Sequence, residues 1–225
     1  MIRKGYRLFA GIGFCLMLLN FSVNAQLIDT IQYSLRQRPK VFVTLASFNT
    51  YIDRQYANIF RLKMGLSYNQ RIRFGISYSN LANNAVVSTI HVSENNYEYD
   101  TNGRLNFSFV SVSSEYFFYI NYPWQFTLTP IHIGVGGANY EYINRTEHTQ
   151  SFTPTETIIL YQPEVSAQLN IFNWLGIGAT TGYRVTLYRS NKSTQHLNAP
   201  LFAVDFRIFL EELYTIYFKS DRKSE

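Results

Sequence analysis

The sequence predicts an all-β protein, an eight-stranded antiparallel up-and-down transmembrane β-barrel, and three observations lead there. The first is a period of two. In Tyr56–Leu81, Phe60, Leu62, Met64, Leu66 and Tyr68 take one parity, and Arg61, Lys63, Gly65 and Ser67 take the other. After Asn69-Gln70 the pattern resumes: Ile72, Phe74, Ile76 and Tyr78 alternate with Arg71, Arg73, Gly75, Ser77 and Ser79. Successive side chains on a strand point to opposite faces, so this spacing means β-strand. The second is polarity. The apolar face is continuous and aromatic, while the other face is small and charged. A barrel in lipid wears its apolar residues outside and keeps the polar set inside. The third is that the connections between strands are alternately short and long, as in bacterial outer-membrane barrels.

The elements follow in order. Arg3, Lys4 and Arg7 precede an apolar run, Leu8–Leu19, and Val23-Asn24-Ala25 supplies small residues before Gln26. This reads as a cleaved signal peptide over 1–25. The run is shorter than the ~20 residues a spanning helix needs. Cys15, the single cysteine, leaves with it, so the mature chain has no thiol or disulfide chemistry. Without Arg3, Lys4 and Arg7 the chain holds 17 Lys and Arg against 15 Asp and Glu. A balance that small is no footprint for nucleic acid.

Residues 26–39 are polar and aperiodic, and read as a periplasmic leader. The barrel is expected over 40–218. Lys40–Phe48 is a first strand of ambiguous parity, and Asn49–Tyr56 a connection. Ala57–Tyr68 and Arg71–Leu81 are strands joined by a tight turn. Ala82–Arg104 is rich in Asn, Ser and Glu and reads as an exposed loop with room for a hairpin. Leu105–Ile120 and Trp124–Tyr142 flank a turn at Asn121-Tyr122-Pro123. Parity changes at Pro130, which lacks a ladder donor, so a bulge is expected there. After the loop Ile143–Glu156 come Thr157–Ile171, a turn at Phe172-Asn173, and Trp174–Tyr188. The loop Arg189–Pro200 leads to the last strand, Leu201–Leu210. A polar C-terminal tail occupies 219–225, and Glu211–Phe218 either extends the last strand or forms a short amphipathic segment. Both termini fall on the short-turn side, which in such barrels is the periplasm.

Two stretches carry a family resemblance. Arg38–Leu81 (RPKVFVTLASFNTYIDRQYANIFRLKMGLSYNQRIRFGISYSNL) resembles the opening of small outer-membrane β-barrel proteins of Bacteroidota-type bacteria. Leu160–Leu187 resembles their late hairpin, with Pro163–Val165 and Gly182–Arg184 as its motifs. The resemblance implies an outer-membrane address and a single barrel, and it carries over no catalytic residues. Many such barrels end on an aromatic residue; this chain continues past Phe218.

An eight-stranded barrel is just wide enough to be filled by side chains, which argues against an open porin. Arg61, Lys63, Glu115, Glu164, Arg184, Asp205 and Arg207 fall on the inward parity. All but Arg184 sit near mid-height, where opposite charges must pair because an unpaired one is costly. A charge network plugging the lumen is therefore expected, with Glu164 as central acceptor. Arg71 and Arg73 are expected to line a wet mouth at the short-turn end.

The expected function is that of a non-catalytic, monomeric, integral outer-membrane protein. Its partners would be outer-membrane lipid and extracellular or envelope proteins, met through loops 82–104, 143–156 and 189–200, in binding, adhesion or envelope integrity. No cofactor, metal or catalytic residue is expected. Two other readings compete. A lipocalin-like soluble carrier would turn Phe60, Leu62, Phe74 and Ile76 inward. A lipid-modifying enzyme would need a Ser, a His and a carboxylate, for which His91-Val92-Ser93-Glu94 supplies residue types without fixed geometry. His132 is expected as a packed or lumen histidine.

Overall fold

The wall is a closed ring in a computed structural model that describes residues 29–52, 55–82, 87–94, 97–144, 149–190, 197–210 and 212–214. Side chains at 87, 88, 91, 93, 94 and 97 lie outside this description, as does the expected signal peptide. The strands are β1 (Lys40–Ile52), β2 (Gln55–Tyr68), β3 (Ile72–Leu81), β4 (Val87–Glu94), β5 (Tyr97–Asn121) and β6 (Trp124–Ile143). They continue with β7 (Gln150–Phe152), β8 (Glu156–Tyr161), β9 (Glu164–Phe172), β10 (Leu175–Arg189) and β11 (Ala199–Phe209). β8 and β9 form one ring strand interrupted at Gln162-Pro163, and β4 and β7 prolong the wall on the loop side. The ring therefore has eight strands, all antiparallel, and β1 closes on β11 through Phe42↔Phe209 to Thr50↔Leu201. Closure leaves no unpaired edge along the ring, which a β-structure in lipid requires.

Several expected boundaries are corrected. Asn49–Tyr56 is largely strand, because β1 and β2 pair as far as Ile52↔Gln55. Ala82–Arg104 does hold the hairpin the sequence left room for, β4 with the start of β5. Asn102 and Gly103 stand inside β5, opposite Thr89 and Ser88. The loop Ile143–Glu156 contains β7. Residues 29–35 of the leader are helical, as are 210 and 212–214 after the last strand. Lys40 Nζ meets Glu212 Oε1 at 2.5 Å and ties that segment to the start of β1.

The turn Asn69-Gln70 has both residues at positive φ, 47° and 53°. The Arg71 N–H donates to the Tyr68 carbonyl across them at 3.0 Å, and the strands pair from Tyr68↔Ile72, so three residues make the connection. Pro130 produces a bulge: β5 and β6 pass from Ser114↔Ile131 to Tyr116↔Leu128, so β6 carries the additional residue. The Tyr161 hydroxyl donates to the Pro130 carbonyl at 2.7 Å. The consequence is positional. Thr129 and His132 both face inward, one on each side of the bulge.

The outward face carries Val41, Leu45, Phe60, Met64, Phe74, Ile76, Val112, Ile133, Val204 and Phe206, all exposed. Aromatic residues flank this belt. Tyr119, Tyr122, Trp124 and Phe172 stand at the turn end, and Tyr51, Tyr56 and Tyr188 at the loop end. An apolar belt between aromatic girdles is the exterior of a transmembrane barrel.

Towards the loops the outer face of β2, β3 and β5 turns polar and the inner face of the ring turns apolar. Outside, Phe60 gives way to Asn58, Tyr78 to Asn80, and Val110 to Ser108. Inside, Arg61 gives way to Ile59, Ser111 to Phe109, Gln162 to Leu160, and Asp205 to Ala203. The strands run on through this level, and beyond it Phe48, Ile59, Leu105, Phe107, Phe109, Ile158, Leu160 and Leu201 form a buried apolar core. Each such side chain contributes about 1.5–3 kcal/mol by burial. The molecule is thus polar-inside below this level and apolar-inside above it.

Close strand contact fixes some glycines. A Cβ on Gly136 would stand 2.1 Å from the Ser108 carbonyl oxygen, whereas one on Gly137 would crowd the Thr155 methyl, at 2.8 Å, and touch the Glu156 carbonyl at an ordinary 3.8 Å. Gly136→Ala is expected to lower the unfolding midpoint in detergent by about 10 °C or to prevent refolding, and Gly137→Ala to change it by about 2 °C at most. Heat-modifiability on gels reads both.

Candidate functional site

The polar half of the lumen holds five buried cations, Arg61, Lys63, Arg73, Arg184 and Arg207, and three buried carboxylates, Glu115, Glu164 and Asp205. Strand parity puts them there, and register decides which of them meet.

Glu164 on β9 is the most shared. Its Oε1 accepts from Arg61 Nη1 at 2.7 Å and lies 3.1 Å from His132 Nδ1. Arg61 is fully engaged: Nη2 donates to Gln162 Oε1 at 2.6 Å, Nε to Ser79 Oγ at 3.2 Å, and the guanidinium lies 4.0 Å from the Phe48 ring centre. A guanidinium whose donors are used in several directions tolerates burial that a bare cation does not. Glu115 on β5 accepts from Lys63 Nζ at 2.6 Å. Arg207 on β11 donates from Nε to Thr44 Oγ1 at 3.2 Å and from Nη1 to Gln168 Oε1. Its Nη2 stands 4.0 Å from both Glu115 Oε2 and Asp205 Oδ1. The Asp205 Oδ2 accepts from the Thr180 hydroxyl at 2.9 Å, and Ser166 lies 2.9 Å from that hydroxyl. A hydroxyl donates once, so Ser166 is the donor of the second bond.

Arg184 and Arg73 stand apart from this set. Arg184 lies against Phe107, 5.5 Å from the ring centre, with Nε and Nη1 unpartnered. Arg73 corrects an expectation, for it is fully buried and lines no wet mouth. Its guanidinium is caged by Phe117 at 4.1 Å, Phe209 at 5.1 Å and Phe42 at 5.3 Å, and only Nε is bonded, to Ser67 Oγ at 3.2 Å. Arg71, at the turn, is half-buried. The two guanidiniums with no carboxylate in contact both rest on aromatic faces, whose quadrupole attracts a cation. Phe42 and Phe48 belong to the strand whose parity was ambiguous in the sequence; the fold turns both inward.

The sequence did not single out Ser111, Ser77, Gln162, Gln168 or Thr180. Ser111 Oγ is 2.9 Å from His132 Nε2 and 2.7 Å from Ser77 Oγ. Ser111, His132 and Glu164 therefore form a Ser–His–carboxylate row, the residue set of acyl-transfer catalysis. Three features oppose that chemistry. All three side chains are buried. The same Glu164 oxygen is taken by Arg61. Among the described residues the mid-lumen cavity is only about 20 Å³, and Ser111 does not line it. The row works instead as a crosslink: Ser111 is hydrogen-bonded to Ser77 and His132, joining β3, β5 and β6, and Glu164 of β9 stands beside the imidazole. His91 and Ser93 are on β4, but their side chains lie outside the described residues.

No group of three or more His, Cys, Asp or Glu able to hold a metal occurs among the described residues.

Removing one partner of a buried pair leaves the other charge uncompensated. Glu164→Gln is expected to cost about 3–5 kcal/mol in urea unfolding from detergent micelles. Glu212→Gln, in a partly exposed pair, is expected to cost under about 1 kcal/mol. Equal losses would remove the network as a source of stability.

No protein-family model matches the chain, and no curated protein sequence does. Solved structures with a similar course of chain include Neisserial surface protein A, at 12% identity and TM-score 0.47, covering 76% of this chain and 96% of that one. Ail, the attachment invasion locus protein of Yersinia pestis, gives 14% identity and TM-score 0.43, covering 76% and 97%. The N-terminal β-barrel domain of Pseudomonas aeruginosa OprF gives 9% identity and TM-score 0.42, covering 76% and 98%.

Proposed function

We propose that this chain is a non-catalytic, integral outer-membrane β-barrel of a Gram-negative bacterium of Bacteroidota type. It is exported by the signal over 1–25, acts as a monomer, and keeps the leader over 26–39 and the tail over 219–225 on the periplasmic side. Its contacts with partners are made by the loops over 82–104, 143–156 and 189–200, in binding, adhesion or envelope integrity.

One observation carries the membrane reading: along β2, β3 and β5 the two faces of the wall exchange polarity. Below that exchange, exposed Phe60, Ile76, Val112 and Phe206 face outward while paired charges fill the axis. Above it, β2, β3 and β5 turn Asn and Ser outward, β10 and β11 keep Tyr183 and Phe202 exposed, and the interior is Phe, Ile and Leu. Water favours the second arrangement and hydrocarbon the first. A wall that crosses from bilayer into water meets both. The tight turns at Asn69-Gln70 and Tyr122-Pro123 and both described chain ends share the opposite rim, which supports a periplasmic assignment for it.

A soluble carrier would need an apolar cavity and a polar exterior along the whole barrel. The membrane level has neither, since Phe74 and Ile76 are exposed while Arg73 and Lys63 are buried. The tightly plugged axis supports a structural or adhesive role over diffusion.

Alkaline carbonate extraction of membranes tests the address. The protein is expected in the pellet, with altered gel mobility on boiling. In planar bilayers the purified protein is expected to give no steady ion conductance at 1 M salt (Debye length about 3 Å). Release by carbonate would end the membrane reading, and a stable open conductance would end the plugged-lumen reading.

A further inference from the structure

The mid-lumen cavity is walled by Arg61, Lys63 and Arg207, by Glu115, Glu164 and Asp205, and by Ala46 at its side. Two oxygens of these carboxylates, Glu115 Oε2 and Asp205 Oδ1, are buried and accept no hydrogen bond from the protein. Both are 4.0 Å from Arg207 Nη2. That separation is too long for a direct hydrogen bond. Three groups from β5 and β11 thus converge on a gap without meeting across it.

We infer that this gap is a binding site for one water molecule, which joins the Lys63–Glu115 pair to Arg207 and Asp205. Three facts select that ligand. The volume, about 20 Å³, exceeds the ~10–15 Å³ that a single water requires and leaves no room for a larger guest. The partners match its valence: it accepts from Arg207 Nη2 and donates to Glu115 Oε2 and Asp205 Oδ1, and about three bonds is the usual number for a buried water. The walls are balanced, because three cations face three carboxylates there, and the buried Arg73 beyond them is held by its cage of phenylalanine rings. An anion or a metal cation would unbalance what a neutral molecule leaves balanced. Without the water, two carboxylate oxygens would be desolvated with nothing in exchange.

The water does structural work. Glu115 on β5 and Asp205 on β11 stand on opposite arcs of the ring, and the direct side-chain bonds leave that span open. With the bridge in place the axis is spanned from Lys63 through Glu115, water and Arg207 to Asp205.

Two experiments on the full chain refolded in detergent decide the matter. A high-resolution crystal structure is expected to show one density peak at about 2.6–3.2 Å from Glu115 Oε2, Asp205 Oδ1 and Arg207 Nη2, without anomalous signal after bromide or rubidium soaks. An empty gap, direct contact of Arg207 with both carboxylates, or an anomalous peak there would overturn the assignment. The second experiment compares Ala46→Ser with Ala46→Cys, which add side chains of similar size beside the gap. A hydroxyl can take over two of the water's three bonds, accepting from Arg207 and donating to one carboxylate oxygen, and a thiol does so poorly. Serine is therefore expected to unfold at least about 3 °C above cysteine. A dry gap would reverse the order, because the more apolar atom fills a void better, and that outcome too would overturn the assignment.

Discussion

The structure depends on neutralising charge inside a narrow ring. A barrel of eight strands has no room for bulk water on its axis, so each inward charge must find a partner within the protein. Glu164 answers Arg61, and Glu115 answers Lys63. These pairs join strands distant in sequence: β2 to β9, and β2 to β5. The pairing therefore also holds the ring to one circumference. A one-residue slip of β2 would send Arg61 and Lys63 into the apolar belt and bring Phe60 and Leu62 inward. The charges act against misregister as well as for stability.

The surplus of cations is handled by a second kind of contact. Arg73 and Arg184 have no carboxylate within ion-pair distance among the described residues, yet both are fully buried. Arg73 sits in a cage of three phenylalanine rings at the turn end, and Arg184 lies against Phe107 under the apolar core of the loop end. The lumen is then layered along its axis. An aromatic floor around Arg73 comes first, then the ion-pair level, then the Phe and Ile core. Each layer blocks the axis by different chemistry.

The two proline irregularities belong to the same design. Pro130 on β6 and Pro163 between β8 and β9 lie on neighbouring strands, so two residues without a donor share one break in the ladder. Bonds recruited around the break close it: Gln162 N donates to the His132 carbonyl at 2.9 Å, and Tyr183 N to the Pro163 carbonyl at 3.2 Å. The break also positions side chains. Because β6 carries one residue more than its partner, His132 turns inward to meet Glu164 instead of facing lipid.

The sequence alone determined the fold class, because a period of two and an inverted polarity are local properties that survive without knowledge of neighbours. It also determined that Arg61, Lys63, Glu115, Glu164, Asp205 and Arg207 face the axis, and that Pro130 interrupts a strand. The strand limits at Asn49–Tyr56 and Ala82–Arg104 were hidden, because polar residues on an outward face above the bilayer look the same as those of a loop. The parity of Phe42 and Phe48 was undecidable locally, since both faces of β1 offer apolar residues. Only the tertiary structure decided which charges touch, because register is set by all eight strands at once. It alone placed Arg73 in an aromatic cage, since the rings come from β1, β5 and β11. β2 and β5 each exchange polarity on both faces along their own length, and the tertiary structure alone showed that these changes fall side by side in the wall.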